Sequence, residues 1–444
     1  MDRTLLKNLV VWKENKTRKP LLIDGARRTG KTFLLEELLG KSFENVLRID
    51  FLENPEFIKA FAGSLNPDEI ITNIELLTGK VFDLSTDLLI LDEIGECPRA
   101  MTALKYFAEK TPKAYVAACG SNIDRLTSFP VGKVEQYELR PLTFKEFLWA
   151  SEQKALQKAY EQQLNSAAVH TKLLELLTDY YVVGGMPEAV NSWFENSELS
   201  IIERLDAVSE IHRNLIEGYM RDFGKYCGKI DSQLIESVFK NVPAQLSSVY
   251  DDSVKRFRFK GVHEHKSRYA EYESAISWLH KCKLILKNHQ IDGQPRAPLS
   301  AYKKENIIKL FLFDVGLLNH MLGTSYREMK LQSYDNKGYI AENYVQQELA
   351  AMGFEPCYSW RDARAEIEFI IADELDRIIP VEVKSGKRTR AKSLQSYIEK
   401  CSPHKTIKLT RTQGSPASET ETETETETEH IVMPLYYTEY LLNT

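Results

Sequence analysis

Gly25-Ala26-Arg27-Arg28-Thr29-Gly30-Lys31-Thr32 follows the apolar run Leu21-Leu22-Ile23 and precedes a helical pattern over 32–39. The spacing is GxxxxGK(S/T), set between a strand and a helix, which is the context in which that spacing carries a mechanism. The glycines let backbone N–H groups wrap a phosphate chain at a helix N-terminus, Lys31 reaches the terminal phosphates, and the Thr32 hydroxyl ligates magnesium. Gly25, Arg28, Thr29, Gly30, Lys31 and Thr32 are therefore the expected nucleotide-binding residues, with ATP and Mg2+ as the expected ligands. Lys31 is also expected to act on the phosphate being cleaved.

Outward from this loop, residues 1–148 alternate short apolar runs at 20–24, 46–51, 88–91, 115–119 and 134–139 with helical stretches such as 32–39 and 100–109. Strands that alternate with helices long enough for right-handed crossovers predict a parallel α/β sheet. The magnesium needs a carboxylate beside the Thr32 hydroxyl. Leu88-Leu89-Ile90-Leu91-Asp92-Glu93 supplies one: Asp92 for the metal, and Glu93 to polarise the attacking water as general base. At the end of the next strand, Gly120-Ser121-Asn122 places small polar side chains where a γ-phosphate sensor would sit. Ser121 or Asn122 would equally serve as a helix N-cap.

From 144 to 226 the periodicity is helical, interrupted at Gly184-Gly185-Met186-Pro187, which reads as a helical lid or linker over 149–226. Residues 227–300 contain an amphipathic helix around Tyr272, Ala275, Ile276 and Leu279, then the apolar run Leu284-Ile285-Leu286, consistent with a small winged-helix-like module. Residues 301–444 return to mixed strand and helix. Within them, 414–430 is turn-rich and then alternates Glu with Thr, which reads as a solvated, disordered loop expansion.

A second constellation lies in this last region. Glu342 sits at the edge of an apolar stripe in a helical stretch over 339–350. In Ala365-Glu366-Ile367-Glu368-Phe369-Ile370-Ile371, period two sets Glu366 and Glu368 opposite Ile367, Phe369 and Ile371, and in Ile379-Pro380-Val381-Glu382-Val383-Lys384 it sets Glu382 with Lys384. Two strands thus aim Glu368, Glu382 and Lys384 at one point. Carboxylates that hold magnesium, here Glu368 and Glu382, with a lysine that positions water, suit phosphodiester hydrolysis. A solvated sheet face with an incidental Glu382/Lys384 pair is the other reading.

Positive charge follows at Lys384, Lys387, Arg388, Arg390 and Lys392, and Lys255-Arg256-Phe257-Arg258-Phe259-Lys260 interleaves cations with aromatics. Either would suit nucleic acid, but the second also describes a half-buried strand with Phe257 and Phe259 inward, which is the reading preferred here.

The chain has 444 residues, 43% hydrophobic and 27% charged, which places it among globular proteins of two or three domains. A formal charge of -6 gives no global pull toward nucleic acid, so a DNA site would be a local patch. The six cysteines form no CxxC pair and read as reduced cytosolic thiols. No apolar run reaches membrane-spanning length, so a cytoplasmic protein without a membrane partner is expected.

GARRTGKT, LLILDEIGECP, the CGSN turn, ELRPLTFKEFL and YYVVGGMPEAV together resemble a widespread prokaryotic group that combines an AAA-type ATPase domain with a C-terminal restriction-endonuclease-like domain. Asp314-Val315-Gly316-Leu317-Leu318 also looks like this group, and Glu342, Glu368 and Glu382-x-Lys384 resemble a PD-(D/E)XK nuclease core with Glu342 as the helical acid. The resemblance implies an α/β chain: a P-loop NTPase parallel sheet, a helical lid, a winged-helix-like module that would make DNA a partner, and the nuclease-like domain. It implies ATP hydrolysis, and assembly into homo-oligomers that share ATP sites. Two departures stand out. The group carries Gly-Arg where this chain has Gly132-Lys133, leaving Arg99, Arg125 and Arg140 as candidates to serve a neighbouring site, and it commonly has Asp where this chain has Glu368. Two functions follow: an ATPase that controls a DNA-cleaving site, or a nucleotide-driven switch whose last domain is a catalytically silent platform.

Overall fold

The computed structural model describes all residues except 122, 124–128, 229, 248–255, 333–336, 363–364, 386–391, 415–427 and 443–444. Asn122, Arg125, Lys255, Lys387, Arg388, Arg390 and most of the Glu/Thr run, all singled out above, lie outside the described residues. The chain divides into two units, Met1–Leu142 with Lys281–Lys283, and Thr143–His280 with Leu284–Thr444.

The first unit is built on five parallel strands, β1 (Leu21–Asp24), β2 (Val46–Asp50), β3 (Leu88–Asp92), β4 (Tyr115–Cys119) and β5 (Glu135–Glu138), in the order β2-β3-β4-β1-β5. Every residue of β1 and β3 is buried, as expected where helices cover both faces of a parallel sheet. Period two divides their side chains between two cores. Leu22, Leu89, Leu91, Val116 and Ala118 pack with the helices Pro67–Thr78 and Pro98–Lys110, while Leu21, Ile23, Leu88, Ile90, Ala117 and Cys119 pack with Leu9, Trp12, Leu34, Leu35 and Leu39. The helix expected over 32–39 begins as an α-helix at Lys31–Phe33 and continues with the wider π winding over Leu34–Leu39. Among the described residues, no helix is long and apolar enough to cross a membrane.

The second unit opens with helices Phe144–Ala150, Lys154–Glu161, Ala167–Val183, Pro187–Glu195 and Ile201–Tyr226. Thr143 and Ser200 start two of them with reciprocal capping boxes to Glu146 and Glu203. A seven-stranded mixed sheet follows: β6 (Ile285–Ile291), β7 (Ile308–Leu312), β8 (Cys357–Asp362), β9 (Ala365–Ala372), β10 (Ile378–Lys384), β11 (Lys405–Thr410) and β12 (Glu429–Pro434), ordered β12-β11-β10-β9-β8-β6-β7.

This sheet changes the reading of 227–300. Helices Ser232–Ser247 and Tyr269–Lys281 are present, but the run after them becomes β6, which pairs antiparallel with β7 and parallel with β8. A boundary at 300 therefore falls inside one sheet. Ile285, Leu286 and Ile291 are each at most 1% exposed, a degree of burial that a surface wing does not provide. The interleaved run places Phe257 inward and Arg256 and Arg258 outward, with Phe259 against Tyr269 and Tyr272, yet it forms only an isolated bridge, Lys260 to His263, in place of the expected strand.

Helix Lys337–Ala351 is buried on every side from Tyr339 to Ala350. Three of its deeply placed polar side chains, Asn343, Gln347 and Glu348, meet backbone or hydroxyl partners, while Glu342 meets Lys309 and Gln346 accepts from the Asn288 amide. Asn343 accepts from Leu312 N at 2.9 Å and donates to Leu312 O at 3.0 Å, and Gln347 accepts from Val315 N at 2.9 Å and donates to the Tyr180 hydroxyl at 2.7 Å. Glu348 accepts from Phe144 N at 3.0 Å, and burial lifts its carboxyl to about 8 in spite of that N–H. An unfolded glutamate titrates near about 4.3. Between these values the folded chain holds a proton that the unfolded chain has lost, so stability falls as pH rises through the window and levels off above about 8. Glu348→Gln is expected to remove this slope, matching wild type in thermal melts near about pH 5 and exceeding it by ~2–4 kcal/mol above about pH 8. Parallel wild-type and variant profiles would contradict the assignment.

The GGMP and DVG stretches meet each other. Gly185 N donates to Asp314 Oδ2 at 2.6 Å, and Leu317 N donates to Asp314 Oδ1 at 2.9 Å, so one carboxylate caps helix Val315–Leu322 and holds the end of helix Ala167–Val183. Burial pushes the Asp314 carboxyl up to about 6, against these N–H donors.

Candidate functional site

The strand order sets the end of β4 between the ends of β1 and β3, so the loop after β1 and the acids after β3 converge there. The loop needs its glycines. Gly25 has φ +152°, and a Cβ on it would lie 2.2 Å from Leu139 O; Gly30 has φ +91°. Arg28 takes the left-handed conformation without that freedom, at φ +66°. Thr29 is held from both sides: its hydroxyl donates to Ala26 O at 2.9 Å and its carbonyl accepts from Arg3 Nη1 at 3.0 Å. Lys31 Nζ donates to Gly25 O at 3.0 Å and Ala26 O at 2.8 Å. Burial lowers its pKa, opposed by Cys119, Glu93, Asp24 and Asp92.

Thr32 Oγ1 donates to Asp92 Oδ2 at 2.9 Å, so the two groups expected to share a metal are adjacent. Asp92 is held further by Arg48 Nη1 at 3.2 Å on Oδ2, and by Glu93 N and Cys119 Sγ, each at 3.0 Å, on Oδ1. A hydroxyl and a carboxylate beside a loop of backbone N–H groups are oxygen donors of the kind a magnesium nucleotide requires, so the residues fit the group. Glu93 follows in the left-handed region at φ +48°, ψ +46°, a conformation of order 1–3 kcal/mol in cost for a non-glycine residue. Burial raises its carboxyl above the ordinary range, while Lys31 and Arg27 draw it back. Ser121 is half-buried, and its carbonyl lies 3.6 Å from where a Cβ on Gly95 would stand, which sets it beside the loop after β3.

In the second unit β9 and β10 run antiparallel. Lys384 Nζ lies 3.1 Å from Glu382 Oε1 and 3.7 Å from Glu368 Oε1, and Glu368 Oε2 accepts from Val383 N at 3.1 Å. The three residues predicted to converge do so. Glu342 lies elsewhere in the same cluster: its Oε2 is 3.4 Å from Lys309 Nζ, which is also 2.5 Å from Glu366 Oε1. Burial raises the Glu368 carboxyl to about 7, with Lys384 pulling it down and Glu342 pushing it up. Lys384 and Lys309 are both raised, since their carboxylates outweigh the burial that would lower them. Among the described residues, no group of three or more His, Cys, Asp or Glu is placed to hold a metal ion. Glu368 and Glu382 therefore supply two carboxylates without a third ligand of these types.

Residues 17–148 match the family model described as an AAA domain. The first unit is an AAA-type P-loop domain. Residues 174–328 and 337–437 match two further models, each described as a domain of unknown function (DUF8612 and DUF4143). An uncharacterized protein of Methanocaldococcus jannaschii is 25% identical over 386 residues, which span 85% of this chain and 77% of that one. Among solved structures, a Walker-type ATPase of Pyrococcus abyssi is 13% identical with a TM-score of 0.46, covering 72% of this chain and 95% of that one. A signal-transduction ATPase of the STAND class with a tetratricopeptide repeat sensor, from Pyrococcus horikoshii, is 13% identical with a TM-score of 0.27, covering 79% and 45%.

Two arginines considered for a neighbouring ATP site are engaged within the AAA domain itself. Arg99 donates to Phe61 O at 2.5 Å and to Gly63 O, and Arg140 pairs with Glu138 at 3.0 Å. Lys133, where the related group has arginine, pairs with Glu109 at 2.9 Å. Four residues of the two clusters were missed by sequence reasoning. Arg3, Arg48 and Cys119 reach the AAA site from elements whose patterns signal only a helix start and strand interiors. Lys309 alone left a trace, as the one charge within Ile307-Ile308-Lys309-Leu310-Phe311-Leu312, where every neighbour is apolar.

Proposed function

We propose that the AAA domain binds ATP with magnesium and hydrolyses it, and that the nucleotide state governs a DNA-binding or DNA-cleaving site formed by Glu342, Glu368, Glu382 and Lys384. The observation that carries the first part is the 2.9 Å approach of Thr32 Oγ1 to Asp92 Oδ2 beside the buried Lys31. Thr32 and Asp92 would hold the ion, which supplies charge neutralisation at the phosphates when bound. Lys31 is drawn onto backbone carbonyls of its own loop, within reach of the path those N–H groups describe, and would exchange them for phosphate oxygens. Glu93, whose pKa burial raises, accepts a proton from water as general base when it is in the carboxylate form. Ser121 and Asn122 would read the terminal phosphate.

For the second unit, the nuclease reading of the PD-(D/E)XK type is supported by the convergence of Glu368, Glu382 and Lys384. In it Glu368 and Glu382 face the phosphodiester and Lys384 orients water. Lys309 favours a second reading, a catalytically silent platform: together Lys309 and Lys384 engage all four carboxylates of the cluster internally. Magnesium-dependent cleavage of plasmid and single-stranded DNA, with and without ATP, separates the two. The nuclease reading expects cleavage to be lost in Lys384→Ala and altered in Lys31→Ala. ATP hydrolysis without cleavage under any metal or nucleotide condition would reject it and leave the platform.

A further inference from the structure

Arg48 stands on β2, two residues before Asp50, whose register partner on β3 is Asp92. Its guanidinium reaches four carboxylates: Asp92 at 3.2 Å, Glu53 at 3.3 Å, Glu36 at 3.6 Å and Asp50 at 3.7 Å. Only the first belongs to the metal-binding pair, and it is contacted through Oδ2, the same oxygen that accepts from Thr32 Oγ1. Oδ1 is taken by Glu93 N and Cys119 Sγ. A carboxylate has about four lone-pair directions, and here four donors address them.

These donors differ in what an incoming cation would do to them. Thr32 can give a lone pair of its hydroxyl oxygen to an ion while its O–H still donates to Asp92. Glu93 N and Cys119 Sγ address the far oxygen. Arg48 has donors only and a permanent charge, so it and a divalent ion on Oδ2 repel each other and require the same lone pair. Arg48 also has somewhere to go. Glu36, Asp50 and Glu53 already lie within 3.7 Å of it, and Glu36 and Glu53 have side chains 39% and 64% exposed against 5% for Asp92. Its own side chain is 30% exposed, which leaves room to swing away.

We propose that Arg48 is a tethered cation that competes with magnesium for Asp92 Oδ2 and thereby sets the magnesium concentration at which this AAA domain binds ATP. The inference rests on the P-loop reading above and makes Arg48 a positioning residue, acting through Asp92. Because Arg48 is 30% exposed and keeps three other carboxylates in reach, its hold on Asp92 is weaker than a fully buried charge-assisted hydrogen bond, and removing it is expected to lower the magnesium midpoint about three- to thirtyfold.

The test is binding of a fluorescent ATP analogue to the full-length protein, titrated with magnesium at fixed analogue and repeated with the metal chelated. Arg48→Ala is expected to shift the magnesium midpoint down by that factor while leaving metal-free affinity within about twofold, and Arg48→Lys, which keeps the charge, to return the midpoint toward wild type. Arg48→Gln replaces the alanine variant if circular dichroism shows that the latter does not fold. Asp92→Asn separates the two levels of failure. If wild type binds no analogue, or if Asp92→Asn leaves the magnesium dependence intact, the P-loop reading fails and this inference with it. If wild type and Asp92→Asn behave as expected but removal of Arg48 leaves the midpoint unchanged or raises it, the competition alone is overturned, a rise meaning that Arg48 supports the metal site.

Discussion

Glu93→Gln is expected to leave ATP binding intact and to slow hydrolysis by on the order of 10²–10⁴-fold, the usual contribution of a positioned general base. Gln keeps the shape and loses the proton acceptor. The backbone at Glu93 is set by the turn that leaves β3 in the left-handed region, so the variant inherits the same placement. Burial raises the Glu93 carboxyl, which makes the ionised form costly in the folded chain. Two consequences follow. The rate should rise with pH through a value above the ordinary glutamate range, because only the carboxylate accepts the proton. The Gln variant should be at least as stable as wild type at neutral pH, because the group whose pKa burial has raised no longer has to ionise inside the fold. Steady-state phosphate release together with binding of labelled ATP checks both; equal turnover in variant and wild type would remove Glu93 from the chemistry.

Gly316→Ala is expected to destabilise the second unit by on the order of 3–5 kcal/mol, enough to prevent folding of a marginal domain. A Cβ there would stand 2.5 Å from Gly184 N and 2.6 Å from both Gly184 Cα and Val183 C. These are backbone atoms, without rotamers to move aside. Gly184 has no slack to yield, since it sits at φ +71° with Asp314 Oδ1 2.3 Å from its own missing Cβ position. Gly338→Ala serves as the control, because a Cβ at Gly338 meets nothing within 4 Å, and a helix gains from the exchange. Urea midpoints for the two variants should diverge sharply. A Gly316→Ala midpoint close to that of Gly338→Ala would show that the junction between the two glycines is looser than described.

Much of the first unit could be read from the chain because its signals are local. The loop spacing, the apolar run of β3 and the acids ending it each lie within a few residues, and burial on both faces makes β1 and β3 continuous in hydrophobicity. In the second unit the convergence of Glu368, Glu382 and Lys384 was equally legible, because side-chain direction in a strand alternates regularly. What escaped depends on partners distant in sequence. The run at 284–286 reads the same as a wing or as a sheet strand until β7 and β8 are known to flank it. The central helix carries Glu342 at the edge of an apolar stripe, but Asn343, Gln346, Gln347 and Glu348 beside it give no sign that packing from all sides buries them; the partners of Asn343, Gln347 and Glu348 at Leu312, Val315, Tyr180 and Phe144 lie far off in sequence. Lys309 belongs to the same class, since an isolated charge in a strand names no partner; Arg48 has Asp50 two residues on along β2, but nothing in the sequence points it to Asp92 on β3.

The central claim is tested most directly by measuring phosphate release from ATP by the full-length protein across a magnesium titration, beside Asp92→Asn. The account predicts release that requires magnesium in the wild type and is lost or strongly weakened when the Asp92 carboxylate, 2.9 Å from the Thr32 hydroxyl, becomes an amide. Folded wild-type protein that neither binds nor hydrolyses ATP, or release indifferent to magnesium and to Asp92→Asn, would contradict it.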